Sequence, residues 1–271
     1  MTTVKKRVKK RHIRFWKIPL SRKRYGKRGF KEGGRFQQVM QPIRRRSRYT
    51  LNKPIVHFAY HKAMTTLFRH VFDDVAKYMG FTVKRGRYWT PCDMFVAWHG
   101  ETAVPVPFVG SHVVRDPRDM IVSGYFYHKW CREPHVKIPQ QSLGGLSRQQ
   151  FLNQYDKQTG LTEEIRLFRS TAKPLLDWEP KQHVIEMRYE DIFGNEVSAL
   201  SRIFRHYGLP SQLVRRLHYF FKQRSFGKPA SRSRHQRRGL PGDWRNHFSD
   251  EQYRLFLEIY PGLLEKYGYE I

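Results

Sequence analysis

Residues 54–60, PIVHFAY, form a short apolar run that passes without a linker into HKAMTT and then into a helical pattern. This junction constrains the fold more than any other stretch. A run so short, and so rich in strand formers, predicts a strand buried on both faces. Leu67, Phe68, Val71, Phe72, Val75 and Met79 then recur at helical spacing, with Gly80 placed to end the helix. DMFVAWH, PFVGSHVV and HVIEMRY repeat the strand pattern further along. After the third of these, RDPRDMIVSGYFYHKW offers Asp116 as a helix cap and Pro117 for the first turn. Four strands interleaved with helices predict an α/β fold, a mostly parallel central sheet flanked by helices, with chemistry at the carboxyl ends of the strands.

The apolar pattern lapses over 133–145, where a loop or lid is expected. Helices are expected from 162 to about 178, from 195 to 207 and from 211 to about 221. A last helix starts near Ser249, where Ser249 and Gln252 have capping-box spacing and Tyr253, Phe256, Leu257 and Tyr260 make the buried face. The 271 residues, 39% of them apolar, suffice for one sizeable core. The division expected is a basic arm over 1–51 and a catalytic-sized domain over 52–271.

That arm, with KKRVKKRHIR, SRKRYGKRGFKEGG and IRRRSRYT, has Glu32 as its single acid. It reads equally as a solvated tail or as an anchor for an anionic surface. The whole chain carries a formal charge of +29. So large an excess concentrates anions around the protein, whether a polyphosphate, an acidic glycan, a membrane surface or a nucleic acid. Cys92 and Cys131 are the only cysteines, too few for a metal cluster or a disulfide framework. No stretch has the length of a membrane span, and the N-terminus lacks the apolar core of a signal peptide. A cytoplasmic protein, or one peripheral to a membrane, is the expectation.

Two motifs carry the chemistry. In YHKAMTT a strand gives way to a helix, where free backbone N–H groups and the positive end of the helix dipole attract an anion. Lys62 supplies a point charge there, and Thr65 and Thr66 supply hydroxyl donors. No glycine precedes Lys62 in the pattern of the GxxxxGK[ST] nucleotide loop. In SHVVRDPRDMIVS, Arg115 follows a buried strand and should emerge at the same sheet edge as Lys62. Ser123 lies eight residues on, about two helical turns past the strand end. A guanidinium fork plus a hydroxyl suits a terminal phosphate. Asp116, Arg118 and Asp119 read as a cap whose members pair with one another.

YHKAMTTL resembles the 5'-phosphosulfate loop, and VVRDPRDMIVS the 3'-phosphate motif, of sulfotransferases that use 3'-phosphoadenosine 5'-phosphosulfate (PAPS). MRYEDIF, SFGK and RRGLPGDWRNHF resemble later blocks of the same family in the same order, the last being closest to the soluble members. The resemblance implies the P-loop-containing nucleotide hydrolase-like sulfotransferase fold, PAPS as donor, 3'-phosphoadenosine 5'-phosphate (PAP) as product, and no metal. It gives Lys62 the 5'-phosphate and bridging oxygen, with Ala63, Met64, Thr65 and Thr66 around it, and Arg115 and Ser123 the 3'-phosphate. Ser123 would also restrain the lysine until the acceptor arrives. Tyr189 would lie near the cofactor, Phe226 by the adenine, and Arg237, Arg238 and Gly239 around the 3'-phosphate. The chain departs from the family at Ala63 and Met64, where a serine–glycine pair is usual, and at Leu67, where many soluble members have tryptophan. Ser249, Asp250 and Arg254 break the pattern of the family's dimer segment, so no dimer is carried over.

For the proton acceptor the resemblance points to a histidine after a strand between the two phosphate motifs. His99 occupies such a place, with Glu101 as its rival; an imidazole is poised near neutrality. His57 reads as packed within a strand, and His61 as flanking the loop. The loops 85–93 and 131–145, with Tyr88, Trp89, Phe126 and Trp130 as aromatics of the same region, are expected to build the acceptor pocket. An anionic glycan or glycolipid is preferred over a small phenol because the chain is so basic. Two other classes stay open. A nucleic-acid-binding protein would account for the charge, though no reader motif or zinc spacing accompanies it. A kinase with a divergent phosphate loop would have to work without the Walker glycines.

Overall fold

The computed structural model describes residues 50–98, 102–226 and 239–271, all within one compact unit, Met40–Ile271. Five strands form one sheet: β1 (Ile55–Ala59), β2 (Val83–Gly86), β3 (Met94–Trp98), β4 (Val109–Val114) and β5 (Val184–Arg188). Their order is β2-β3-β1-β4-β5, and every pairing is parallel. Helices supply the crossovers from β1 to β2 and from β4 to β5, whereas β2 joins β3 through residues 87–93 with no helix between. β1 lies at the centre with all five residues buried, as its unbroken apolar pattern requires.

Helix α1 (Thr65–Met79) follows β1, and Gly80 ends it in a left-handed conformation, φ 77°. Its Phe68 stacks on His57 with ring centroids 3.6 Å apart. Two later helices, α7 (Glu196–His206) and α8 (Ser211–Arg224), join the same face through Phe72–Phe204 and Tyr78–Phe220 contacts. The other face is covered by α2 (Pro117–His128), α4 (Lys157–Leu167), α5 (Arg169–Leu176), α9 (Asp250–Ile259) and α10 (Leu263–Lys266). Their core joins Tyr60, Ala63 and Val114 to Ile165, Leu175, Phe256 and Leu263. Two smaller helices, α3 (Arg148–Gln154) and α6 (Tyr189–Ile192), complete the set.

Asp116 caps α2 by accepting from the Arg118 amide, with Pro117 in the first turn, and Ser249 and Gln252 form a reciprocal capping box on α9. On α9, Phe256 and Tyr260 are buried while Tyr253 and Leu257 are half-buried. Three expectations need correction. The edge strand β2 was not expected: VKRG is half exposed and has no apolar run to betray it. The helix expected over 162–178 is two helices, and the first begins at Lys157. The Asp156 carboxylate caps it, accepting from the Gln158 and Thr159 amides. Gly160 falls inside that helix because α4 crosses close to α2; a Cβ there would stand 2.7 Å from the Tyr125 ring. Finally, the 133–145 stretch contains two short 3-10 turns, Pro134–Lys137 and Gln141–Leu143, anchored by buried Val136 and Leu143.

Candidate active site at the carboxyl edge of the sheet

β1 pairs with β3 on one side and β4 on the other, so the chain's crossovers diverge at β1, the kind of junction at which open parallel sheets bind ligands. The two motif cations arrive there from neighbouring strands. The turn after β1 is strained: among the described residues, Lys62 and Met64 are the two non-glycine residues with positive φ, 68° and 58°. A left-handed residue with a Cβ costs roughly 1–2 kcal/mol. The turn is held by the Ala63 amide and the Thr65 hydroxyl, both donating to the Tyr60 carbonyl, at 3.1 and 2.7 Å. Thr65 therefore spends its hydroxyl hydrogen within the loop. Ala63 and Met64 are buried.

Arg115 joins the two motifs. Its Nη1 donates to the Lys62 carbonyl at 3.2 Å, and its guanidinium lies 4.2 Å from the centre of the Tyr189 ring. The residue is 6% exposed, and its Nε is buried with no hydrogen-bond partner among the described residues. A buried cationic donor left unpaired is costly, and an anionic oxygen satisfies it. Burial first, and the nearby Arg115 charge second, bring the Lys62 ammonium down to about 8. Lys62 is half-buried, and its Nζ lies over the Tyr127 ring at 4.0 Å.

Tyr189 donates its hydroxyl to the Gly239 carbonyl at 2.6 Å and packs with Phe193 and Phe226. Gly239 has φ 69°, and a Cβ on it would stand 3.0 Å from the Tyr189 hydroxyl and 3.2 Å from the Phe193 ring. Only glycine fits that cradle without strain. Lys62, Arg115, Tyr189, Gly239 and Phe226, far apart in sequence, thus form one continuous chain of contacts. Ser123 is half-buried on α2, four residues past Asp119 and so on the same helix face. His99, Glu101, Arg237 and Arg238 lie outside the described residues.

The expected pairing among Asp116, Arg118 and Asp119 is half right. Asp116 and Arg118 form a buried ion pair at 2.8 Å. Asp119 instead accepts from the Gly242 and Trp244 amides at 2.8 and 2.9 Å and stands 3.9 Å from Arg115. Burial pushes its carboxyl up to about 6 against the pull of Arg115. His57 and His112 are fully buried, the first bonded to Ser111 and the second stacked on Trp178 at 3.9 Å, so both are core residues. His61 does more than flank the loop: its Nε2 lies 3.1 Å from Nε2 of His128, whose Nδ1 meets Glu164 at 3.0 Å. His128 and Glu164 carried no signal in the sequence, because their contacts span 67 and 36 residues.

The expected acceptor loops are only partly loops. Arg85 lies in β2 and is ion-paired with Asp73 of α1, and Trp89 packs against Phe95 at 5.2 Å between ring centres. Tyr88 is 85% exposed, and Trp98, at the end of β3, is also exposed. Phe126 and Trp130 pack edge-on against Tyr125 and Tyr127.

Comparison with known proteins follows the same geometry. The model of the sulfotransferase domain matches residues 112–268, more than half of the chain. The crystal structure of mouse sulfotransferase SULT7A1 complexed with PAP superposes with a TM-score of 0.50 at 16% identity, covering 84% of this chain and 90% of that one. Retinol dehydratase in complex with androsterone and PAP gives a TM-score of 0.43 at 15% identity, covering 79% and 83%. No curated protein matches the chain. The first superposition agrees with the parallel α/β architecture described above.

Proposed function

The chain belongs to the sulfotransferase domain family, and on that premise we propose that it moves the sulfuryl group of PAPS, in line, to an acceptor hydroxyl or amine. The observation that carries the reading is Arg115. It bridges the loop after β1 and the Tyr189–Gly239 segment, with a buried Nε that has no acceptor among the described residues. Such a donor fits the 3'-phosphate of PAPS, and Ser123, Arg237, Arg238 and Gly239 are proposed for the same phosphate on the family resemblance. Phe226, in contact with Tyr189 and Phe193, is suited to lie against the adenine.

PAPS, when bound, supplies an activated sulfuryl group whose bond to the 5'-phosphate breaks. Lys62 stabilises the charge that grows on the bridging oxygen. The α1 amides of Thr65 and Thr66 and the Thr66 hydroxyl hold the 5'-phosphate. Ser123 restrains Lys62 before the acceptor arrives. His99, with Glu101 as rival, takes the acceptor's proton. No metal is called for. The acceptor proposed is a carbohydrate or glycolipid, favoured by the +29 charge and by exposed Tyr88 and Trp98. The domain proposed spans 52–271, and the basic arm over 1–51 would contact an anionic surface. Among the described residues no helix is long and apolar enough to cross a membrane, and a cytoplasmic, peripheral location is proposed.

Calorimetry with PAP at physiological salt tests the reading, with adenosine 5'-monophosphate and ATP as competitors. The expected result is binding that requires the 3'-phosphate and that Arg115→Ala weakens by one to two orders of magnitude, roughly 1.5–3 kcal/mol for a charged hydrogen bond. Equal affinity for PAP and adenosine 5'-monophosphate, or an unchanged affinity in Arg115→Ala, would overturn it.

A further inference from the structure

Glu164 is 2% exposed and receives Nε and Nη2 of Arg148 on its two oxygens, each at 2.6 Å. His128 Nδ1 reaches the same carboxylate at 3.0 Å. Burial alone would raise this carboxyl, but His128 and Arg148 pull it down to about 2, so it is ionised at any working pH. An ionised carboxylate can only accept, so His128 must donate through Nδ1. Burial lowers His128 against the opposing pull of Glu164, and in the neutral ring its Nε2 is an acceptor. His61 Nε2, 3.1 Å away, is then the donor, and Nδ1 is the basic nitrogen of His61. The two rings agree with this assignment. Their planes are 9° apart with centroids 5.1 Å apart, an edge-to-edge meeting, whereas the face-to-face stack of His57 on Phe68 has centroids at 3.6 Å.

His61 immediately precedes Lys62 at the end of β1 and is half-buried. Its ring lies 5.5 Å from that of Tyr127, the same ring over which the Lys62 ammonium sits. A carboxylate, an imidazole and a second imidazole thus lead from α4 through α2 to the proposed transfer site. We infer that His61, oriented by His128 and Glu164, is a second proton acceptor for the transfer, sharing that role with His99. The inference rests on the sulfuryl-transfer reading given above. In the step, the acceptor's O–H bond breaks and its proton goes to His61 Nδ1 as the oxygen bonds to sulfur. The bond from sulfur to the phosphate oxygen breaks, and its electron pair stays on that oxygen beside Lys62. His128 and Glu164 are positioning residues: they fix the tautomer and support the imidazolium, as the carboxylate does in a Ser-His-Asp triad. Arg148 keeps Glu164 ionised, so the proton stops on the imidazole pair. Among the described residues, the charged groups facing that pair include Lys62, Arg148, Glu164, Glu133 through the Tyr127 hydroxyl, and His135 against His128.

The test uses the full chain with PAPS and three acceptors, a phenol, a simple alcohol and a heparin-type oligosaccharide. With whichever acceptor the unsubstituted enzyme uses, His61→Ala is expected to lower kcat at least about tenfold, less than the full contribution of a lone base because the role is shared. PAP affinity should stay within about twofold, the acidic limb of the kcat–pH profile should flatten, and added imidazole should restore part of the rate. Nitrogen-15 NMR should show His128 protonated at Nδ1 and His61 at Nε2. His128→Gln, which leaves His61 in place, should lower kcat and move the acidic limb to lower pH; it decides the matter if His61→Ala fails to fold. A folded His61→Ala enzyme with unchanged kcat and pH profile, or with only its PAP affinity reduced, overturns this inference and leaves the sulfotransferase reading standing. PAP binding without PAPS turnover on any acceptor removes the transfer reading and this inference together.

Discussion

A single lysine shows how burial sets chemistry at this site. Lys62 is desolvated and faces Arg115, and both effects disfavour its charged form, which brings it to about 8. As pH rises through that value the free protein loses the ammonium. A bound phosphate would restore it, because an adjacent anion favours the charged form. PAP binding near pH 8.5 is therefore expected to take up protons, about half to one per site. Repeating the calorimetry in buffers of different ionisation enthalpy measures that number. Lys62→Arg, whose guanidinium stays charged at every accessible pH, should abolish the uptake. It should also depress turnover more than PAP affinity, since the compact point charge at the bridging oxygen is lost. Proton uptake identical in Lys62→Arg would move the titrating group elsewhere.

At the scale of elements, the first turn of α2 acts as a clasp for the C-terminal segment. Asp119 accepts two backbone N–H groups from residues 242 and 244, and the Arg118 guanidinium covers the Trp244 ring at 4.0 Å. That segment also carries Gly239 against Tyr189, so the clasp and the proposed cofactor site share one support. Asp119→Asn keeps the shape but replaces one accepting oxygen with a donor. A buried amide left unpaired costs about 1–3 kcal/mol. A lowered melting temperature together with weaker PAP binding is expected; weaker binding at unchanged stability would place Asp119 on the ligand instead. The clasp also shows where sequence stops being legible. The β1 run, the α1 periodicity and the caps at Asp116 and Ser249 were readable because each is encoded within a few residues. Lys62 and Arg115 were readable because each ends a strand. Asp119 was misassigned because its partners lie 123 and 125 residues away. β2 was missed because an exposed edge strand needs no apolar run, and the start of α4 because Gly160 serves helix–helix contact, not chain termination.

For the whole molecule, three histidines buried among the described residues govern behaviour in acid. His57, His112 and His128 are at most 3% exposed, and burial lowers all three, His57 most strongly. A histidine whose folded pKa lies below its unfolded value of about 6.5 binds its proton on unfolding, so the stability it permits at neutral pH is lost as pH falls below that value. Asp119 works in the opposite direction. Its folded carboxyl, near 6, protonates before the unfolded one, which stabilises the fold as pH falls toward 4. Stability should then fall as pH drops from about 6.5 toward 5, with Asp119 offsetting part of the loss. Glu164 adds a further loss only below about 4.5, where its unfolded carboxyl begins to protonate while the folded one, near 2, does not. The chain already carries +29, so each proton taken up also adds to its self-repulsion. Urea unfolding at half-unit steps from pH 7.5 to 4.5 measures the slope, and a flat profile across pH 6 would mean that the buried histidines are protonated in the folded state. PAP should counter the loss at every pH, because a ligand that binds only the folded chain adds RT ln(1 + [L]/Kd) to its stability. That gain should shrink with added salt, since part of PAP's attraction to so basic a protein is screened over roughly 10 Å at 0.1 M.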